Sequence, residues 1–252
     1  MKNKECFIDV HCHIDRYENI DEIVENAEKN DVKIMVAQGV TQETNEKALE
    51  LAKNFKSVKA ALGLYPIEAI KLDEKEIDNI IEFIRKNKKS VSAIGEVGID
   101  FKEDLENHEY QKKIFDKLVK LSIELDVPII IHSRKAEIEC IDILEKNNAK
   151  KVIMHCFSGK FSLVKRIIEN KWSLSIPTSV KNSEHFQKII GEHPIEQLLC
   201  ETDSPYLHPD KKWPNEPANV IASYEKIAEI KKLSIEKVKK QIFENYSRLF
   251  SK

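Results

Sequence analysis

Short apolar runs alternate with helix-periodic runs along the whole chain, and eight such units leave few folds open. Cys6-Phe7-Ile8, Lys33 to Ala37, Val58 to Leu62, Val91 to Ile94, Val127 to Ile131, Lys151 to Met154, Trp172 to Ile176 and Gln197 to Cys200 read as strands. Between them, Ile20 to Asn30, a segment capped by Thr41, Glu76 to Asn87, His108 to Leu125, Glu137 to Asn147, Phe161 to Asn170 and Ser183 to Gly191 read as helices. A proline-rich loop, His208 to Pro217, precedes two more helices, the last with Ile235, Val238, Ile242 and Leu249 on one stripe. The run from Val127 to Ile131 is apolar at every position, as a parallel strand covered on both faces requires. With 252 residues, this alternation predicts a (β/α)8 TIM barrel, with residues 1–252 as a single domain. A doubly wound open sheet is the second reading.

The glycines give an independent sign. Of six, Gly39, Gly63, Gly95, Gly98 and Gly159 fall at or just past the C-terminal end of an expected strand, and Gly191 ends a helix. Glycine is used where backbone turns tightly or approaches a ligand, and barrel active sites occupy that face.

The same ends carry chemistry. Asp9, His11 and His13 share one face of the first strand, because side chains alternate with period 2. His132 ends the fifth strand and His155 the sixth, while Glu96 and Asp203 follow the fourth and eighth. In a barrel these positions converge on one rim. Four imidazoles and two carboxylates suit zinc, manganese, iron, cobalt or magnesium and not a thiolate site. Six ligands exceed what one tetrahedral zinc with an open position takes, so two divalent ions sharing a carboxylate fit better. Asp9 lies deeper, where a buried hydrogen-bonding role competes with ligation.

Composition narrows the partners. The net charge of −2 lacks the basic excess of a protein that grips a long duplex. Two divalent ions against two carboxylates would still leave a local positive centre for a phosphodiester. The five cysteines are odd in number and none has CxxC spacing, which argues against a disulfide framework and a thiolate zinc site. Cys12 and Cys156, beside histidines, are expected to face away from them. No apolar run reaches the ~18 residues of a membrane span. Met1 to Glu5 leads straight into the first strand without an apolar signal segment, so a cytoplasmic location is expected, with no membrane and no obligate protein partner.

Asp9-Val-His-Cys-His13, Gly95-Glu96-Val-Gly-Ile-Asp100, His132-Ser-Arg134, His155-Cys-Phe-Ser-Gly159 and Glu201-Thr-Asp-Ser-Pro-Tyr-Leu207 together resemble the ordered motifs of the TatD family of metal-dependent hydrolases. Asn215-Glu216-Pro217 and the segment from Glu244-Asn245 to Leu249-Phe250 resemble it too. The resemblance implies a TIM barrel of the amidohydrolase superfamily, two divalent metal ions (Zn, Mg or Mn) and deoxyribonuclease activity; with no basic excess, short or single-stranded DNA ends are the expected substrate. Carried over by position, it implies that His11 and His13 bind one ion and His132 and His155 the other. Glu96 would bridge them, Asp203 would bind metal and steer the attacking water, and Glu201 would orient a ligand. The chain departs from the family's usual pattern at Tyr65, where histidine is common, at Lys135, where aspartate is usual, and at Pro214, where arginine is frequent. These positions bear on substrate choice.

Arg134 could clamp a phosphate or pair with a surface acid. Tyr65 is a second substrate-contact candidate. Tyr65, Phe157, Tyr206 and Trp213 fall in rim loops, where they either stack on bases or pack. Hydrolysis of a small amide, lactone or aminoacyl ester is the alternative activity, since the same centre would serve it.

Overall fold

The computed structural model describes residues 6–251. The expected lead-in of Met1 to Glu5 lies outside them. The eight strands are β1 (Phe7–Cys12), β2 (Val32–Gln38), β3 (Val58–Leu64), β4 (Val91–Asp100), β5 (Ile129–Arg134), β6 (Val152–His155), β7 (Ser173–Pro177) and β8 (Leu198–Glu201). They pair in sequence order, every ladder parallel. The intervening helices are α1 (Ile20–Lys29), α2 (Gln42–Asn54), α3 (Pro66–Ala69), α4 (Glu74–Lys86), α5 (His108–Leu125), α6 (Glu137–Lys146), α7 (Phe161–Glu169) and α8 (Glu184–Glu192), with α9 (Ile221–Lys231) and α10 (Ile235–Phe250) after the last strand. This is the (β/α)8 TIM barrel.

Local signals act as anticipated. Thr41 caps α2 by accepting from the Thr44 N–H, and Ser183 and Ser234 cap α8 and α10. The buried stripe of α4 is Ile77, Ile80, Ile81 and Ile84, at the spacing that puts one helical face on the barrel. No helix among the described residues is long and apolar enough to cross a membrane. All five cysteines are free.

The ring closes by means other than a regular ladder. Between β1 and the segment after β8, Asp203 N donates to His11 O at 2.9 Å and His13 N to Ser204 O at 2.8 Å. Below them Asp9 accepts from Thr202 N (3.0 Å) and Thr202 Oγ1 (2.5 Å). At the start of β1 the Tyr224 hydroxyl of α9 accepts from Ile8 N and donates to Ile8 O. The buried backbone groups of this seam thereby find partners. Burial pushes the Asp9 carboxyl up to about 8, and its contacts tie the seam shut.

One boundary departs from expectation in an informative way. β4 runs to Asp100 instead of ending at Ile94. Gly95 and Gly98 suggest a strand end, yet Gly98 pairs with His132 and Asp100 with Arg134. A Cβ on Gly98 would lie 1.8 Å from His132 O, and its φ of +151° disfavours any side chain. The glycine lets the two strands approach closely instead of terminating one of them.

Candidate metal centre

The C-terminal halves of β1, β4, β5 and β6, the residue after β1 and the segment after β8 bring His11, His13, Glu96, His132, His155 and Asp203 to one place. Each of the six is less than a fifth exposed at its side chain. All but the fully buried His11 line a cavity of about 1020 Å³ that opens on this face.

Glu96 divides the cluster. Its Oε2 lies 3.6 Å from His11 Nε2 and 3.5 Å from His13 Nε2, and Asp203 Oδ1 lies 3.5 and 3.6 Å from the same two nitrogens. Its Oε1 turns the other way, 3.1 Å from His132 Nδ1 and 3.5 Å from His155 Nε2. The ligand atoms of His11, His13 and Asp203 all lie within 4.8 Å of one another, as do those of Glu96, His132 and His155.

These residues fit divalent metal. A tetrahedron of zinc bonds of ~2.0–2.1 Å has edges of about 3.4 Å, close to the 3.5–3.6 Å separations around His11, His13, Glu96 and Asp203. Among the described residues, both ring nitrogens of His11 and Nδ1 of His13 are buried without a hydrogen-bond partner. An unpaired buried polar group costs ~1–3 kcal/mol, which coordination would relieve for the nitrogens facing inward.

The second histidine pair is oriented from behind. His155 Nδ1 faces Glu201 at 3.2 and 3.3 Å. Glu201 also accepts from Ser175 Oγ at 2.5 Å and from Cys156 N at 2.9 Å. His132 Nε2 faces Asp100 Oδ2 at 3.0 Å. Donation to these carboxylates leaves His155 Nε2 and His132 Nδ1 with free lone pairs directed at the centre. Burial opposes charge on both rings, but the adjacent carboxylates hold both above the usual imidazole range. His11 lacks such a carboxylate behind it. Burial, reinforced by the stacked His155 ring 3.8 Å away, lowers it. Burial would raise Glu96 and Asp203, yet the surrounding imidazoles keep both below the carboxylate norm.

The family model described as TatD related DNase matches residues 8–251. The chain belongs to this family. It is 38% identical to an uncharacterized metal-dependent hydrolase of Methanocaldococcus jannaschii, over 98% of this chain and 97% of that protein. It is 32% identical to the human deoxyribonuclease TATDN3, over 97% of this chain and 94% of the relative. The crystal structure of YJJV, a TatD homologue from Escherichia coli K12, superimposes with a TM-score of 0.92, covering 99% of this chain and all of that one at 24% identity.

Within this TatD-family barrel, the two substrate-contact candidates are partly committed elsewhere. Arg134 lines the cavity, but its Nη1 donates to Glu103 Oε1 at 2.9 Å. Tyr65 donates to Asp100 Oδ2 at 3.3 Å and so braces the carboxylate behind His132. Phe157 is buried and packs. Cys156 departs from expectation. β6 stops at His155, Cys156 adopts φ of +43°, and it lines the cavity instead of facing away.

Sequence reading assigned no role to Asp100 or Ser175. Asp100 stands four residues after Glu96, hence on the same strand face, which was the available signal. Ser175 is a buried hydroxyl within β7, which also carries Ser173, and a buried hydroxyl calls for a polar partner.

Proposed function

We propose that the chain is a deoxyribonuclease that hydrolyses phosphodiester bonds at short or single-stranded DNA ends with two divalent metal ions. The observation that carries this reading is the divided carboxylate of Glu96, whose two oxygens face separate histidine pairs. His11, His13 and Asp203 would hold one ion, His132 and His155 the other, and Glu96 would bridge them. The relatives' description as metal-dependent hydrolases and deoxyribonucleases supports the assignment. The ions would supply Lewis acidity, activating water near neutral pH and stabilising charge that develops on the phosphoryl group.

The remaining work falls to side chains. Asp203 sits at the cavity wall beside His11 and His13, held as a carboxylate and placed to take or orient the proton of the attacking water. Glu201 and Asp100 fix the ring orientations of His155 and His132. Buried walls of β1 and β6 exclude bulk water from behind the centre.

The test is a substrate panel with added metal: single-stranded oligonucleotide, duplex, lactone, small amide and aminoacyl ester. Oligonucleotide hydrolysis that stops with chelator and returns with Mg, Mn or Zn is expected. Turnover of an ester or amide with no cleavage of any oligonucleotide would overturn the nuclease reading.

A further inference from the structure

The chain has two tryptophans, and the structure uses them in opposite ways. Trp172 is 1% exposed and donates its indole N–H to Ala149 O at 2.8 Å. Trp213, in the loop after β8, is 69% exposed. With the exposed Tyr206 ring beside it, it makes an aromatic surface that extends beyond a single side chain.

Trp213 continues a series of rings that starts at the metal centre. The His13 ring meets the Tyr206 ring edge-on, with centroids 6.4 Å apart, and Tyr206 meets Trp213 with centroids 5.6 Å apart. Tyr206 lines the cavity and is itself 39% exposed. The Arg16 guanidinium lies 5.5 Å from the Tyr206 ring centre and donates to its hydroxyl. Lys211 and Lys212, both exposed, directly precede Trp213 in the chain.

Charged side chains of both signs surround the mouth. Arg16 and Tyr206 line the cavity together with Asp15, Glu43 and Glu68, and Lys211 and Lys212 stand beside Trp213 in the chain. A polyanion leaving the centre past Tyr206 and Trp213 would meet Arg16, Lys211 and Lys212. Exposed aromatic faces flanked by cations are how single strands are held without regard to sequence, because every base has a π-face.

We infer that Trp213 and Tyr206 form a stacking platform for unpaired bases of a polynucleotide, with Arg16, Lys211 and Lys212 along its phosphates. This rests on the nuclease reading and assigns the path of the strand away from the scissile bond. Recognition of this kind is tolerant of base identity and sensitive to salt.

The test has a kinetic and an optical arm. With Mg²⁺ and a thymidine octamer, Trp213→Ala raises KM at least about fivefold, the effect of ~1 kcal/mol of lost stacking per base. Trp213→Phe recovers part of it, and turnover of bis(p-nitrophenyl) phosphate, too small to reach the platform, stays unchanged. A phosphorothioate thymidine octamer quenches the emission of exposed Trp213 in saturable fashion, and Trp213→Ala abolishes the quenching. An unchanged KM in Trp213→Ala, or an octamer that saturates the enzyme without altering Trp213 emission, overturns the platform. Failure of the nuclease reading looks different: no oligonucleotide is cut by the wild type. The quenching arm then still decides whether bases stack on Trp213.

Discussion

The Glu201 carboxylate embraces His155 Nδ1 with both oxygens, at 3.2 and 3.3 Å. It fixes which nitrogen of His155 faces the cavity and makes that nitrogen more basic. Partners of this kind typically contribute 10- to 100-fold to metal affinity. Glu201→Gln keeps the shape and removes the charge. Metal titration by calorimetry should show binding weakened about 10- to 100-fold, with far-UV circular dichroism unchanged. Wild-type affinity in the variant would mean that His155 is not a ligand or is oriented by something else.

Glu96 and Asp203 should be indispensable for different reasons. Glu96→Ala removes the oxygens that face both histidine pairs, so metal stoichiometry should fall along with activity. Asp203→Ala removes one carboxylate of the first group and the candidate proton acceptor. Its rate should drop by about 10²- to 10⁴-fold even at saturating metal. Both proteins should remain folded, because neither side chain supports the apolar core. Normal turnover in either variant removes that residue from the mechanism.

Asp100 allows the two halves of the centre to be separated. It touches His132 through Oδ2, while Oδ1 accepts from the N–H groups of Lys102 and Glu103 at 2.9 Å. Asp100→Asn can retain the backbone contacts yet lose the charge behind His132. A two-step manganese titration should then show one event weakened and the other unchanged. Tyr65→Phe, which removes a 3.3 Å contact to Asp100 and a 3.4 Å contact to His132 Nε2 but no charge, should have a smaller effect. Equal weakening of both events would argue against two separable groups.

How far the sequence spoke for itself follows from the period-2 rule. His11 and His13, and Glu96 with Asp100, are spaced so that one strand face carries each pair, and strand ends in a parallel barrel share a rim. Eight βα units therefore predict where the six candidate ligands meet. What did not follow depends on atoms, not on spacing. Nothing in the sequence shows that the two oxygens of Glu96 diverge, or that Ser175 reaches Glu201 from the neighbouring strand. β4 reads as ending at Ile94 because glycine suggests a break. Only the close approach of Gly98 to His132 O shows why a glycine belongs inside the strand. Cys156 reads as facing away because period 2 assumes that the strand continues, and β6 ends one residue earlier.

His193 should make stability depend on pH. It is buried at the end of α8, and neither ring nitrogen has a hydrogen-bond partner among the described residues. Burial, with Lys231 nearby, lowers its pKa from 6.5 to about 4. The unfolded chain then binds a proton below pH 6.5 that the folded chain refuses until about pH 4. Stability must rise with pH across that window, by ~1.4 kcal/mol per unit. The contribution is complete above pH 6.5 and is lost on acidification, about 3 kcal/mol in all. Other histidines titrate in the same range, so the informative quantity is a difference. Urea unfolding of wild type and His193→Leu at half-unit intervals should give curves parallel above pH 7 that diverge below pH 6.5, the variant being the less acid-sensitive. Parallel curves down to pH 4.5 would show that His193 accepts its proton in the folded state, and that the cavity around it admits water.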